Sequence, residues 1–220
     1  MSYAIAIDGP AGAGKSTIAK RVAKELGFIY VDTGAMYRAM AIYFMGKSIA
    51  PSDEAAIENA VDGVDIRIEY EDGVQQVILN GENVTSKLRD EAVGRMASAT
   101  SKYACVRTKL LELQRGLAKT SDVIMDGRDI GTTVLPDAQT KIYLTASSDA
   151  RAKRRYDELV LKGEKADFEE IKADIEKRDY QDMNREISPL KQADDAALLD
   201  TSDMNIDEVV EAVKKLVRVI

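Results

Sequence analysis

The 220-residue sequence contains no histidine and a single cysteine, Cys105. Without histidine, it lacks the side chain that most often acts as an acid or base near neutral pH, and also the commonest zinc ligand. One cysteine cannot form an internal disulfide and fits a reducing cytoplasm. We interpret Cys105 as a small buried hydrophobe rather than a nucleophile. Any chemistry must therefore depend on carboxylates, lysines, arginines, backbone amides or a metal bound through oxygen.

Long apolar runs and an excess of positive charge are also missing. No run of about 18 apolar residues occurs, so we predict no membrane-spanning helix. Residues 1–4 carry no basic region, which argues against a signal peptide. The formal net charge of −7 gives no basic footprint for a nucleic-acid polymer, although local arginines can still hold a small anion. We expect a cytoplasmic monomer that binds small molecules.

Short apolar runs alternate with helical patterns along the chain, and this alternation predicts the fold class. Strands are predicted at residues 3–7, 28–31, 123–126, 141–144 and 197–200. Helices are predicted at residues 15–26, 35–45, 52–61, 91–118, 148–162, 167–184 and 205–217. The first is expected to end with Gly27 as its C-cap, and Asn205-x-x-Glu208 resembles a capping box that opens the last. Five strands that alternate with helices are typical of an α/β fold with a doubly wound parallel sheet.

Residues 64–84 have a different pattern. Residues 65–70 alternate strictly between polar and apolar side chains, and Asp72-Gly73 and Asn80-Gly81 are strong hairpin turns. We predict a small antiparallel meander here. Such a meander cannot lie inside a parallel sheet, so it is expected to form a separate flap.

The first predicted strand and helix are joined by a phosphate-binding motif. Residues 9–16 match G-x-x-x-x-G-K-[ST], and the residues predicted to bind ATP are Gly9, Pro10, Ala11, Gly12, Ala13, Gly14, Lys15, Ser16 and Thr17. Glycines allow backbone N–H groups to surround an anion, and the helix N-terminus adds partial positive charge. Lys15 is predicted to reach the β- and γ-phosphates, and the Ser16 hydroxyl to bind Mg²⁺. Asp126 is predicted to hold Mg²⁺ through water, with Asp8 as the alternative.

A phosphate loop does not by itself identify the phosphoryl acceptor. GTPases need an Asn-Lys-x-Asp element, and this sequence has no Asn-Lys pair. Motor and transporter ATPases are usually larger. A chain of this length with a phosphate loop at residue 9 therefore indicates a small nucleoside, nucleotide or metabolite kinase.

Three further segments carry a resemblance to a known family. Residues 32–38 (DTGAMYR), residues 126–132 (DGRDIGT) and the pattern KRDxxDxNR at 177–185 resemble motifs of bacterial cytidylate kinases, with Thr33 where serine is more familiar. The resemblance extends over essentially the whole chain. It implies a P-loop nucleoside monophosphate kinase of pyrimidine metabolism that uses ATP and Mg²⁺ to phosphorylate CMP or dCMP. It also implies one kinase domain, 1–220: a core (1–31, 85–147 and 185–220), an NMP-binding insert (32–84), a lid (148–166) and a helix facing the acceptor (167–184).

The resemblance also implies roles for individual residues. The CMP phosphate would be held by Thr33, Arg38 and Arg128, with help from Arg185. The cytosine would be read by Ser98, Arg107 and Asp129, and the sugar by Arg178 and Asp182. An aspartate that accepts from the exocyclic amine selects against uracil. Ser98 is preferred to Thr100 and Ser101 only through the alignment of Val106-Arg107. The residues expected to act in catalysis are Lys15, Arg128 and the lid residues Arg154 and Arg155.

The missing histidine agrees with this chemistry. A phosphate monoester is already an anionic nucleophile, so the transfer needs positioning and charge neutralisation but no general base. The planar fork of arginine suits phosphate, although each arginine taken singly could form a surface salt bridge instead. Closure of the insert and lid around bound substrates would keep water away from the γ-phosphate. Two alternatives stay open: another small P-loop kinase, specific for UMP/CMP, AMP or a metabolite, and a non-catalytic nucleotide switch.

Overall fold

The structure is a computed structural model that describes residues 2–217. Its strands are β1 (Ala4–Asp8), β2 (Ile29–Asp32), β3 (Ile66–Glu71), β4 (Val74–Leu79), β5 (Glu82–Asn83), β6 (Val123–Gly127), β7 (Thr140–Thr145) and β8 (Ala197–Asp200). Its α-helices are α1 (Lys15–Leu26), α2 (Thr33–Gly46), α3 (Glu54–Val61), α4 (Glu91–Thr100), α5 (Ala104–Thr120), α6 (Ser148–Leu161), α7 (Phe168–Asn184) and α8 (Ile206–Leu216).

A five-stranded sheet with the order β2-β6-β1-β7-β8 confirms the predicted α/β class. The central strand β1 pairs in parallel with both β6 and β7. All five residues of β1 are buried, as expected for a strand covered on both faces. The β1–β6 register sets Ile7 opposite Asp126, so the two strands end at the same edge of the sheet.

The core on this sheet comes from strands and from two helices distant in sequence. Ile5 and Leu144 of the sheet belong to one buried cluster with Val22 of α1 and Val213 of α8. α1 ends at Gly27, which adopts φ 71° as the predicted C-cap. α8 begins with the predicted capping box, in which the side chains of Asn205 and Glu208 each bind the backbone N–H of the other residue.

The described chain forms two compact units: one is Val31–Ser121, and the other consists of the remaining described residues, including most of the sheet. In the first unit, α2 packs against α4 and α5, and α3 packs against α5. The unit therefore includes residues 85–121 in addition to the predicted insert, 32–84. The subdivision into core, insert and lid stays a prediction.

The predicted meander is present as the antiparallel sheet β3-β4-β5. Both of its turns have two consecutive residues with positive φ: Asp72 (51°) with Gly73 (75°), and Asn80 (48°) with Gly81 (85°). Positive φ at both central residues is what Asp-Gly and Asn-Gly hairpin turns require. The local sequence therefore specified these turns correctly.

The single helix predicted at 91–118 is wrong, because residues 101–103 separate α4 from α5. Tyr103 has an extended backbone (φ −76°, ψ 134°), and its hydroxyl donates to the carbonyl of Pro51 at 2.9 Å. The carbonyl of Ser101 accepts from Arg107 Nη1 at 3.1 Å. The Arg107 side chain thus satisfies a carbonyl that a continuous helix would pair with a backbone N–H, in a segment that lacks proline.

Cys105 is half-buried at the start of α5, and burial raises the pKa of its thiol, which disfavours the reactive thiolate.

Within residues 2–217, no helix is long and apolar enough to cross a membrane.

Candidate active site

The phosphate loop connects β1 to α1, as the sequence predicts. Gly9 (φ 149°), Gly12 (φ 74°) and Gly14 (φ 86°) all have positive φ, which favours glycine. At Gly9 the space is also closed: a Cβ would lie 1.9 Å from the carbonyl oxygen of Leu144 in β7. The neighbouring strand therefore requires glycine at the first position of the motif.

Lys15 lies inside this loop. Its side chain is buried, and Nζ donates to the carbonyl of Pro10 at 2.7 Å. Burial, followed by the nearby charge of Arg128, lowers the pKa of Lys15 well below its usual value. The ammonium is thus held where a negatively charged phosphate would relieve its desolvation.

Ser16 and Asp126 form a polar pair at the ends of α1 and β6. The Ser16 hydroxyl donates to Asp126 Oδ2 at 2.8 Å, and the Tyr30 hydroxyl donates to Asp126 Oδ1 at 2.9 Å. Hydroxyl and carboxylate oxygens are ligands that Mg²⁺ accepts, and protein sites for Mg²⁺ with nucleotides often supply only one or two such groups. The donor set therefore fits the predicted role of both residues toward Mg²⁺.

Asp8, the alternative to Asp126 for holding Mg²⁺, binds two backbone amides instead. Its two carboxylate oxygens accept from the backbone N–H groups of Ile130 and Gly131, each at 2.7 Å. Burial raises the pKa of Asp8 to about 6. Asp8 thus attaches the turn that follows β6 to the end of β1, and both of its oxygens are occupied by amides.

Arginines and aspartates of the predicted acceptor site form a buried cluster in the unit that contains the phosphate loop. Arg128 Nε donates to Asp182 Oδ2 at 2.9 Å. Arg185 lies 3.6 Å from Asp182 and 3.6 Å from Asp129, measured between its nitrogens and their carboxylate oxygens. Burial alone would raise the pKa of Asp182, but Arg128, Arg178 and Arg185 hold it below its usual value. Five residues from two separate motifs are therefore brought together.

The other predicted acceptor residues belong to the Val31–Ser121 unit. Thr33 is the buried first residue of α2, and Arg38 follows on the same helix. Ser98 lies on α4, and its carbonyl accepts from the Ser101 hydroxyl at 2.9 Å. Arg107, near the start of α5, is buried.

Tyr37 is an additional residue that the sequence reasoning missed. The guanidinium carbon of Arg107 lies over its ring, 5.7 Å from the centroid. Arg107 is thus held between this aromatic face and the Ser101 carbonyl. Tyr37 could have been identified from the sequence, because it belongs to the segment 32–38. However, an aromatic residue on a helix is usually interpreted as part of the core.

The two predicted lid arginines make different contacts. The Arg154 guanidinium donates to the backbone carbonyl of Thr201, and also to its hydroxyl at 3.3 Å. Arg155 pairs with Glu158 at 3.0 Å on the surface of α6. Their roles in catalysis stay predictions.

Arg151 and Asp179 were also missed as functional residues. They form a buried ion pair of 2.6 Å that contacts the phosphate loop at Ala11. The signals in the sequence are weak: Arg151 lies in the basic segment of the predicted lid, and Asp179 lies in the third motif. Their meeting is a tertiary contact over 28 residues.

A complete G-x-x-x-x-G-K-[ST] loop between β1 and α1, on a parallel sheet and next to a serine–aspartate pair, defines a P-loop nucleotide-binding protein. The sequence model of the family described as cytidylate kinase matches residues 5–219. The chain belongs to the cytidylate kinase family.

Two individual relatives indicate the same family. The cytidylate kinase of Lactobacillus johnsonii is 50% identical over 97% of this chain and 93% of its own length. The cytidylate kinase of Caldicellulosiruptor saccharolyticus is 50% identical over 96% of this chain and 94% of its own length. A crystal structure of an uncharacterized protein from Eubacterium ventriosum has a TM-score of 0.51 at 12% identity, with 97% of each chain covered, and so shares the fold. The predicted family and the predicted enzyme class, a kinase, are confirmed.

Proposed function

We propose that this protein transfers the γ-phosphoryl group of ATP to CMP or dCMP, giving ADP and CDP or dCDP. The observation that most supports this function is the buried cluster of Arg128, Asp182, Arg185 and Asp129 in the same unit as the phosphate loop. A phosphate loop alone would serve any ATPase. Arginines held in a buried site by aspartates are suited to a second, multiply charged phosphate ligand.

The proposed reaction needs no general base. The acceptor is a phosphate monoester, whose oxygen is already an anionic nucleophile, and catalysis then depends on in-line positioning and charge neutralisation. Lys15 neutralises the β- and γ-phosphates, and Arg128 holds the acceptor phosphate. Arg154 and Arg155 are assigned to the transferring group.

Mg²⁺ is assigned to the Ser16–Asp126 pair. Its contribution when bound is to neutralise charge on the β- and γ-phosphates. Ser16 would hold the ion through its hydroxyl and Asp126 would hold it through water, while the hydrogen bond from the Tyr30 hydroxyl orients the Asp126 carboxylate.

The acceptor contacts are assigned residue by residue. In the unit with the phosphate loop, Asp129 accepts from the exocyclic amine of cytosine, and Arg178 and Asp182 contact the sugar. In the Val31–Ser121 unit, Thr33 and Arg38 contact the CMP phosphate, while Ser98 and Arg107 donate to the base. A carboxylate opposite the carbonyl of uracil is unfavourable, so this set favours cytosine.

The expected setting of the enzyme follows from composition and proposed chemistry. With a net charge of −7 and one cysteine, it is proposed to act in the cytoplasm as a monomer in pyrimidine nucleotide metabolism. Its partners are the nucleotides CMP, dCMP and ATP, and no nucleic-acid polymer or membrane is proposed.

A coupled assay of ADP formation tests this function. ATP and Mg²⁺ are supplied with CMP, dCMP, UMP or AMP in turn, and we expect rapid turnover with CMP or dCMP. Rapid turnover with AMP but with neither cytidine nucleotide would overturn the proposal in favour of another small P-loop kinase. Slow ATP turnover that CMP does not change would instead indicate a nucleotide switch.

A further inference from the structure

The backbone of one residue of the phosphate loop, Ala11, is held on both sides by an ion pair. The Ala11 N–H donates to Asp179 Oδ1 at 3.2 Å, and the Ala11 carbonyl accepts from Arg151 Nη1 at 2.9 Å. Arg151 Nη1 and Asp179 Oδ2 are 2.6 Å apart, and the two side chains are only 7% and 12% exposed. Loop, arginine and aspartate thus form a closed ring of polar contacts, hereafter the Ala11 clamp.

The Ala11 clamp is itself fixed by its surroundings. Arg151 Nε donates to the carbonyl of Ala146 at 2.9 Å, which orients the guanidinium from the other side. A Cβ at Gly12 would lie 3.4 Å from Arg151 Cβ and 3.8 Å from Ile175 Cδ1. Side chains of α6 and α7 therefore lie within van der Waals reach of the loop at Gly12.

The chemistry of the pair indicates a role beyond stability. A buried ion pair is often no more stabilising than apolar residues of similar volume, because both charges lose their hydration. Here the two charges are directed at the N–H and the carbonyl of one residue, Ala11, which belong to two consecutive peptide units. The planar fork of Arg151 binds a carboxylate, the Ala11 carbonyl and the Ala146 carbonyl together. The residue whose backbone the Ala11 clamp fixes belongs to the segment whose N–H groups surround the donor phosphates.

The clamp is also connected to the arginine–aspartate cluster. Asp179 and Asp182 are three residues apart on α7 and so lie on the same side of the helix. Asp179 binds the phosphate loop, and Asp182 binds Arg128. One helix thus contacts the donor-side loop at Ala11 and an acceptor-side arginine, Arg128.

We propose that Arg151 and Asp179 are positioning residues that fix the backbone of Ala11 for binding of the donor nucleotide. This inference rests on the proposed function, which it deepens by assigning a donor-side role to two residues outside the phosphate motif. Neither residue touches the reacting atoms in this assignment. Both act through the backbone of the loop.

The test compares Arg151→Lys and Asp179→Asn, which preserve size but disrupt the ring, with Lys153→Met. Lys153 lies on the same helix and pairs with Asp157 on the surface, so its replacement removes a cation and leaves the loop alone. The dissociation constant of a fluorescent ADP analogue is measured by titration, together with KM for ATP, KM for CMP and the thermal unfolding midpoint. We expect both clamp variants to bind ADP at least about tenfold more weakly and to raise KM for ATP by a similar factor.

Several outcomes separate positioning from stability. The double variant should lose no more ADP affinity than the weaker-binding single variant, because the two residues act as a unit. If wild type and both single variants bind ADP equally while only the unfolding midpoint falls, the role is structural and the inference is overturned. An equal loss of ADP affinity in Lys153→Met would overturn the inference as well. If the wild-type protein binds no ADP, both the proposed function and the role of the clamp fail. If it binds ADP and the clamp variants bind it equally well, only the role of the clamp fails.

Discussion

The hydroxyl of Ser16, at the start of α1, donates a 2.8 Å hydrogen bond to the carboxylate of Asp126 in β6. The two residues are 110 positions apart in the chain, and the parallel pairing of β1 with β6 brings them together. Each alone is an ordinary polar residue. Together they place one hydroxyl and one carboxylate beside the phosphate loop.

Asp126→Asn is expected to lower kcat by about 10- to 100-fold and to raise the Mg²⁺ concentration that gives half-maximal activity. The amide keeps a partner for Tyr30 but carries no charge for the ion's water ligands. Activity is measured across a Mg²⁺ titration at saturating nucleotides. Asp137→Asn, at an exposed position, is the matched control. An unchanged Mg²⁺ dependence in Asp126→Asn would contradict the assignment.

Asp129→Ala is expected to reduce the preference for CMP over UMP by about 10- to 100-fold, as for the loss of a charged hydrogen bond. ATP binding should change far less. The measurement is kcat/KM for each acceptor, with Asp129→Asn alongside because Arg185 lies next to this carboxylate. If base selectivity is the same as in wild type, the role given to Asp129 is wrong.

Tyr37→Leu is expected to raise KM for CMP by about two- to fivefold, because the aromatic face over which Arg107 lies is lost. Tyr37→Phe keeps the ring and should behave like wild type. Steady-state kinetics with varied CMP at saturating ATP provide the comparison. Equal effects of the two substitutions would point to the hydroxyl rather than to the ring.

The pKa of Asp8 predicts a pH effect on stability. Burial raises this pKa from the ordinary aspartate value of 3.8 to about 6 in the folded protein, so between these limits the folded state binds the proton more tightly. The contribution of Asp8 to the free energy of unfolding therefore falls as pH rises from about 4 to 6, by up to about 3 kcal/mol. Urea unfolding of wild type and Asp8→Asn over this range isolates the effect, since other titrating groups are common to both. A difference between the two proteins that does not vary with pH would refute the expectation.

Asn205→Ala is expected to lower the free energy of unfolding by about 1 kcal/mol, because the first turn of α8 loses its side-chain cap. The reciprocal bond from the Asn205 N–H to Glu208 Oε2, at 2.8 Å, should survive. Urea unfolding is the measurement, and Asp203→Ala provides a nearby control. Equal loss in both variants would count against the capping box.

Features that depend on short stretches of sequence were predicted well. The Asp72-Gly73 and Asn80-Gly81 turns, the Gly27 cap and the phosphate loop each rely on residues that tolerate a particular local backbone. The five strands followed because buried parallel strands are nearly continuous apolar runs. In each case, the residues that determine the local backbone conformation are neighbours in the sequence.

Features that depend on distant partners were not predictable in this way. At the break between α4 and α5, the Tyr103 hydroxyl binds the carbonyl of Pro51, 52 residues away. The Ala11 clamp depends on Asp179, 168 residues from Ala11. Tyr37 gained a role only because Arg107 lies over it. Local propensity contains no information about such pairs, and only the folded chain brings them together.

Gly9 shows how a sequence motif can combine two separate requirements. The carbonyl of Leu144 would lie 1.9 Å from a Cβ at this position, whereas at Gly14 nothing lies within 4 Å of one. A descendant of this protein that had lost all phosphotransfer would therefore still need glycine at position 9 to keep its strands together. In such a lineage, survival of the first glycine would record architecture alone, and Lys15 and Ser16 would be the residues by which to judge whether an enzyme had become a pseudoenzyme.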